Sequence, residues 1–386
     1  MSVPSVKPNQ PLPIIGVDAS RSTVPQRSGT ENYSLQIIRS LVAAPTRYRW
    51  KLYFRNNPNP SLFPRTGFVD WIVMPSPLMW THLRLSTELA LNPPNVLFVP
   101  AHVRPIYCKV PSVVTVHDLG FIHHPNMHPP LQLAYLRWST GHNIKRANHL
   151  LADSEATKQD IIKHYHADPA KVTVVYPGFD SKSYDVPRND NRFPDLPEPY
   201  ILYVGTLHPR KGLSVLIKTL AELRDRNIKI SLVCAGRDGW MMSPIRNQIA
   251  KLGLERMVHF LGFVDQKHLP LIYSQAKLTV LPSLYEGFGY TTLESMAAGT
   301  PVICTNAGSL PEVVGDAALT VHPGDSASLT DAINTVLTNK ALRQNLIDKG
   351  LKRCMMFPWS STADQTLAII EQVFSAKNNH VSTKHN

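Results

Sequence analysis

Short apolar runs and helical patterns alternate along almost the whole of this sequence. Such alternation marks strands laid parallel in one sheet, with a helix making each return. In the first half the strand-like runs are Ile14–Val17, Trp50–Phe54, Asn95–Val99, Ser112–Val116 and Leu150–Ala152. Helical patterns lie between them at Thr30–Val42, His128–Ala147 and Ser154–Tyr165, where Ser154 follows a strand directly and is placed to cap the helix. Asp180–Pro199 breaks the pattern: it is rich in Pro, Asp and Asn, has little apolar periodicity, and reads as an interdomain linker. A second series then supplies strands at Tyr200–Val204, Lys229–Ala235, Val258–Phe260, Leu278–Leu281, Pro301–Cys304 and Leu319–Val321. Its helices fall at Leu213–Arg224, Pro244–Leu252, Thr291–Ala298 and Ser326–Thr338, and a last one follows a Phe357-Pro358-Trp359 break at about Ser361–Ala376. The expectation is two doubly wound α/β domains, residues 1–185 and 186–358, followed by a terminal helix within 359–386. A cleft between the carboxyl ends of their strands is where such folds take ligands.

At 386 residues, each domain can bury its own core, and 43% hydrophobic with 18% charged residues describes an ordinary soluble globular protein. The formal net charge of +12 is uneven: up to Asp185 there are nineteen Lys and Arg against eleven Asp and Glu. That excess suits an anionic partner such as a membrane surface, a phosphorylated lipid or nucleic acid, and suits plain solubility about as well. Cys108, Cys234, Cys304 and Cys354 lie far apart without a C-x-x-C pair, so neither a zinc site nor a disulfide framework is expected, and a reduced, cytoplasmic setting fits. The N-terminus lacks a basic segment followed by an apolar one, and Pro8, Pro11 and Pro13 interrupt it. No run of 18 apolar residues occurs, which leaves peripheral contact as the expected form of membrane association.

The chemistry concentrates in two loops of the second half. Glu286-Gly287-Phe288-Gly289-Tyr290-Thr291-Thr292-Leu293-Glu294 sets two carboxylates eight residues apart around a glycine turn that opens a helix. The expectation puts Glu286 and its glycines on an exposed loop and Glu294 on the first turn of the helix. A helix start offers free N–H groups and a positive dipole end to phosphate, while the acids suit sugar hydroxyls. Together they point to a sugar nucleotide. Gly205-Thr206-Leu207-His208-Pro209-Arg210-Lys211-Gly212 follows a strand and precedes a helix, so Arg210 and Lys211 project from the carboxyl end of the sheet. Arg offers a planar fork to phosphate oxygens and Lys a compact charge; alone, such a pair is also an ordinary surface turn.

These two loops, with Ser295-Met296-Ala297-Ala298-Gly299-Thr300-Pro301-Val302-Ile303, resemble the retaining glycosyltransferases of family 4, which have the two-Rossmann GT-B fold. Gly29-Thr30-Glu31-Asn32-Tyr33 and Thr115-Val116-His117-Asp118-Leu119-Gly120 resemble that family's acceptor domain, and the tail from Phe357 its terminal helix, which crosses back onto the first domain. The resemblance implies that Arg210 and Lys211 hold the donor diphosphate. Glu286 contacts hydroxyls of the transferred sugar, helped by amides at Gly287, Phe288 and Gly289, and Glu294 accepts from the ribose. Backbone at Tyr290 and Thr291 approaches the distal phosphate, Gly205 opens the cationic loop, and His117 reaches across the cleft to the sugar. Gly29 lets a loop pass close to the diphosphate. Relatives often carry an aliphatic residue and Pro where this chain has Tyr290-Thr291-Thr292.

Asp118 is expected to shape its loop or pair with His117. His123, His124 and His128 match no common metal spacing, and there is no Asp-x-Asp motif, so no cofactor and no obligatory metal is expected. The expected partners are a nucleotide sugar and a glycan or lipid-linked acceptor, with possible contact to an anionic membrane. The basic excess and Tyr48-Arg49-Trp50-Lys51 are compatible with such an acceptor at the inner membrane face. The loop sequences look most like those of family members using GDP-mannose, though users of UDP-glucose share the scaffold. A sugar-nucleotide epimerase or hydrolase of the same fold is the competing enzyme. A nucleic-acid binder lacks its basic, aromatic-rich stripe, and a nicotinamide oxidoreductase its G-x-G-x-x-G.

Overall fold

The computed structural model describes residues 12–24, 27, 29–44, 47–64, 66–101, 103–185, 193–239 and 242–382. Two wholly parallel sheets organise them. The first contains β1 (Ile14–Asp18), β2 (Arg49–Phe54), β3 (Val69–Val73), β4 (Val96–Val99), β5 (Ser112–Val116), β6 (His149–Ala152) and β7 (Val172–Val174) in the order β3-β2-β1-β4-β5-β6-β7. The second contains β8 (Tyr200–Val204), β9 (Ser231–Ala235), β10 (Val258–Gly262), β11 (Leu278–Leu281), β12 (Val302–Thr305) and β13 (Ala318–Val321) in the order β10-β9-β8-β11-β12-β13. Helices cover both faces, so the inner strands have no wet side: every residue of β4, β5, β6, β11 and β12 is buried. In each sheet the winding reverses once, between β1 and β4 and between β8 and β11. At such a reversal the loops on either side part and leave a crevice.

The strands and long helices read from the sequence are present, with ends shifted by a residue or two, except that the last helix runs six residues further, to Ser382. Two strands and one long helix went unread. Edge strand β3 is largely half-buried, β7 has three residues, and neither presents a long apolar run. Helix Lys340–Cys354 buries only Leu346, Gly350 and Cys354, a stripe one residue wide in an otherwise polar segment. The expected linker Asp180–Pro199 lies partly outside the described residues, at 186–192. No described helix is long and apolar enough to cross a membrane.

Within Tyr48-Arg49-Trp50-Lys51 the two aromatic side chains are buried and Arg49 is exposed, which corrects the segment's expected use as a whole. Trp50 is fully buried in β2, the Tyr48 hydroxyl donates to Glu371 Oε1 at 2.8 Å, and Arg49 pairs with Asp70 at 2.6 Å. Glu371 belongs to the helix Trp359–Ser382, which begins two residues before the expected start, directly after Pro358. Ala363, Ile369, Ile370 and Val373 of that helix share one core with Ile15 and Val17 of β1 and with Ile37, Ile38 and Leu41 of the helix Gly29–Ala43. Trp359 lies so close over Gly178 that a Cβ there would overlap its ring and backbone. The last helix is thus part of the first sheet's core, although the second sheet precedes it in sequence.

Ile370 is 1% exposed, so Ile370→Ala should cost about 2–5 kcal/mol, read as a lowered urea midpoint for the first sheet. An unchanged midpoint would mean that the tail does not pack there.

Candidate active site

The winding reversals bring four loops together around a cavity of about 610 Å3. All twelve candidate residues line it: Gly29, His117, Gly205, Arg210, Lys211, Glu286, Gly287, Phe288, Gly289, Tyr290, Thr291 and Glu294. Residues that the sequence did not single out line it as well, among them Asp153, Arg237 and Gln266. Asp153 and Arg237 each follow the carboxyl end of a parallel strand, β6 and β9, and that position is the signal by which they could have been found.

The cationic loop is fixed by Gly212, whose φ of 71° is left-handed and whose missing Cβ leaves room for the Pro282 carbonyl. Arg210 and Lys211 of the β8 loop therefore stand against the β11 loop. Lys211 Nζ donates to both oxygens of Glu286, at 2.6 and 2.8 Å, and Ser283 Oγ donates to Oε1 at 2.6 Å. Arg210 Nη1 donates to the Tyr285 carbonyl and lies 4.0 Å from Glu286 Oε2, while Nη2 lies 3.9 Å from Asp118 Oδ2. The expectation of an exposed acid is thereby corrected: Glu286 is 6% exposed, because its loop is tucked under the cations and the first domain. Burial alone would push its carboxyl up, but Lys211 and Arg210 outweigh it and hold Glu286 below the usual carboxylate range.

Glu294 is the fifth residue of the eight-residue helix Tyr290–Ala297, on its second turn, which corrects its expected place on the first. It has no cation partner among the described residues; Tyr273 donates to its Oε2 at 2.7 Å, and burial raises its pKa. Thr292 Oγ1 donates back to the Gly289 carbonyl at 2.8 Å, so that hydroxyl serves the turn. The Phe288 ring packs in the core against Phe357 and Tyr290, which leaves its backbone as the part available to a ligand. A Cβ on Gly29 would meet only the Tyr290 ring, at 3.8 Å, so the protein's own atoms do not demand glycine there.

The first domain contributes a buried histidine pair. His117 Nδ1 lies 2.6 Å from Asp153 Oδ2 and Nε2 lies 2.9 Å from the Pro100 carbonyl. A carbonyl can only accept, so Nε2 carries a hydrogen and points away from any ligand. Asp118, expected to pair with His117, instead accepts from the Gly120 amide at 2.9 Å and faces Arg210. Its loop-shaping role stands and the pairing passes to Asp153. Gly287 packs so tightly on the His117 carbonyl and Asp118 Cβ that any side chain would overlap them. The acidic loop of one sheet and the histidine loop of the other are in direct contact across the cleft.

Elsewhere His123, Asp160 and His164 gather within 4.8 Å of one another, but His123 Nε2 and the Tyr285 hydroxyl already donate to Asp160 Oδ2 at 2.7 and 2.6 Å. That group is satisfied as a hydrogen-bonded bridge between the two halves.

Residues 27–183 match the family described as Glycosyltransferase Family 4, and residues 188–353 match that described as Glycosyl transferases group 1. The chain is 30% identical over 264 residues to O-antigen chain mannosyltransferase B of Escherichia coli, covering 66% of this chain and 69% of that one. It is 31% identical over 258 residues to a D-inositol 3-phosphate glycosyltransferase of Corynebacterium glutamicum, covering 63% of this chain and 61% of that one. Among solved structures, sucrose-phosphate synthase from Thermosynechococcus elongatus superposes with a TM-score of 0.75 at 21% identity over 94% of this chain and the whole of the other. At that identity the superposition speaks for the fold alone.

The His117–Asp153 pair has a pH consequence. Burial disfavours a charged ring, but the Asp153 carboxylate and the Pro100 carbonyl outweigh it and raise the His117 pKa. The stability this contributes is fully present below the unfolded histidine value of about 6.5 and fades as pH rises through the higher folded one. Imidazole 15N chemical shifts should show both His117 nitrogens protonated above pH 6.5, and Asp153→Asn should bring the titration down. A titration unmoved by that substitution would leave Asp153 without influence on the ring.

Proposed function

The chain belongs to the family 4, group 1 glycosyltransferases of GT-B fold, and from that premise we propose that it moves a hexose from a nucleoside diphosphate sugar to a hydroxyl of a glycan or lipid-linked acceptor. GDP-mannose is the favoured donor. The observation that carries this reading is the meeting of Arg210, Lys211 and Glu286 on one wall of a cavity whose other wall belongs to the first domain. A cationic corner beside the helix start at Tyr290 suits a diphosphate, and Glu286 next to it suits the hydroxyls of the attached sugar. Glu294, with no cation partner among the described residues, suits a ribose hydroxyl. Mannose is supported by the motif variants and by the similarity to a relative named as a mannosyltransferase.

The reaction we infer retains the anomeric configuration. The bond between the anomeric carbon and the diphosphate oxygen breaks, and a bond to the acceptor oxygen forms on the same face. The acceptor proton passes to the departing phosphate oxygen. No carboxylate is needed as a nucleophile, and Glu286 is committed to Lys211 and Ser283. The protein's contribution is alignment and stabilisation of charge on the leaving group, which falls to Arg210 and Lys211 without an obligatory metal.

The helix Pro130–Arg146 supports peripheral contact with an anionic bilayer. It contains no acidic residue, carries Arg137, Lys145 and Arg146, and exposes Leu131 and Trp138, 87% and 44% accessible. Flotation with phosphatidylglycerol vesicles should carry the protein upward and Leu131→Asp should abolish it; flotation equal in the two proteins would discard this surface.

Incubation with a panel of nucleotide sugars should release GDP from GDP-mannose and be insensitive to EDTA. UDP release from UDP-glucose alone would transfer the reading to a glucosyltransferase, and unchanged product without any acceptor would favour a hydrolase. Lys211→Ala should lower turnover roughly 30- to 1,000-fold, equivalent to about 2–4 kcal/mol of barrier. Near-normal turnover would remove Lys211 from the chemistry.

A further inference from the structure

On two residues that line the cavity, a buried polar atom has no hydrogen-bond partner among the described residues: Asp153 Oδ1 from the first domain and the Tyr290 hydroxyl from the second. An unpaired polar atom in the interior costs free energy unless a water or a ligand completes it. Both residues line the same wall-to-wall cavity, and neither atom is engaged in the packing that fixes its own side chain. The Asp153 carboxylate is oriented through its other oxygen by His117. The Tyr290 ring is held edge-on by Phe288 at 5.1 Å between centroids and lies against Gly29. His117 cannot serve the ligand at this point, because both of its nitrogens face protein acceptors.

We propose that Asp153 and Tyr290 are sugar-binding residues, one from each domain, that complete their hydrogen bonds on ring hydroxyls of the transferred hexose. A sugar hydroxyl donates to Asp153 Oδ1, and the Tyr290 hydroxyl donates to or accepts from a sugar oxygen. His117 is a positioning residue that turns Asp153 toward the cleft. The hexose is the part of the ligand concerned because Asp153 is bonded to His117, whose carbonyl packs on Gly287 beside Glu286, the acid assigned to the sugar. The inference rests on the transferase reading above and adds to it a side-chain role for Tyr290 and a ligand contact for Asp153.

Tyr290→Phe removes one oxygen and leaves the shape. The variant should melt no lower than the wild type, since the lost hydroxyl had no partner, yet bind the intact nucleotide sugar about tenfold more weakly by calorimetry. Affinity for GDP or UDP alone should not change. Within a series of deoxyhexose donors, one should bind wild type and variant equally. Asp153→Asn should weaken the nucleotide sugar in the same way while sparing the nucleotide. If the wild type binds no nucleotide sugar, the transferase reading fails and the contact with it. If the wild type binds and Tyr290→Phe binds the intact donor as tightly, the contact alone is overturned. Equal losses for nucleotide and nucleotide sugar would also overturn it, because the effect would then be structural.

Discussion

The Lys211–Glu286 ion pair is the interaction on which the site depends. Glu286 is 6% exposed, and a carboxylate at that depth stays ionised only because the ammonium lies within 2.8 Å of both its oxygens, with Arg210 close behind. The pair joins the loop after β8 to the loop after β11, the neighbouring strands at which the second sheet reverses its winding. Removing either partner of such a buried pair typically costs about 3–5 kcal/mol, since the survivor is left uncompensated. Replacing such a pair by well-packed hydrophobic residues is often neutral or stabilising, so stability alone does not account for it. What the pair supplies is a fixed cationic corner, ordered before any ligand arrives.

That corner also sets the distance between the two halves. Arg210 faces Asp118 of the first domain, Gly287 packs on the His117 carbonyl, and Tyr285 reaches Asp160. On a neighbouring edge Glu312 accepts from the Glu155 and Ala156 amides at 2.9 and 3.0 Å, placing a carboxylate on the start of a first-domain helix, where the dipole favours it. The helix Trp359–Ser382 adds a covalent return by burying its apolar face in the first core. The cleft is therefore bounded by contacts made by the same loops that line it. A change in how Arg210 or Gly287 is occupied would be felt by both halves at once.

The fold was largely legible because buried parallel strands are apolar throughout, and a run such as Leu278–Leu281 or Ser112–Val116 declares itself without neighbours. Legibility failed where burial was thin. Edge strand β3 and the helix Lys340–Cys354 commit few side chains to the core, so their sequences look like connecting segments. Tyr48-Arg49-Trp50-Lys51 misled for the opposite reason. Its charges alternate with aromatics as on a surface, but in a strand alternate residues face opposite ways, and here tertiary partners wait on both sides.

In the site, the sequence named the residues that meet but not how their polar atoms are shared. Loop-after-strand placement puts Arg210, Lys211, Glu286 and His117 at one cleft, since every parallel strand ends on the same side. It does not say that His117 spends both nitrogens on Pro100 and Asp153, or that Asp118 turns toward Arg210. Those outcomes depend on backbone carbonyls and on residues 17 and 36 positions away, which carry no local pattern. The consequence is chemical. A histidine read as a ligand contact is bonded to an aspartate that no motif marked, and of the two residues on the cavity wall it is Asp153, not His117, that keeps an acceptor unpaired among the described residues.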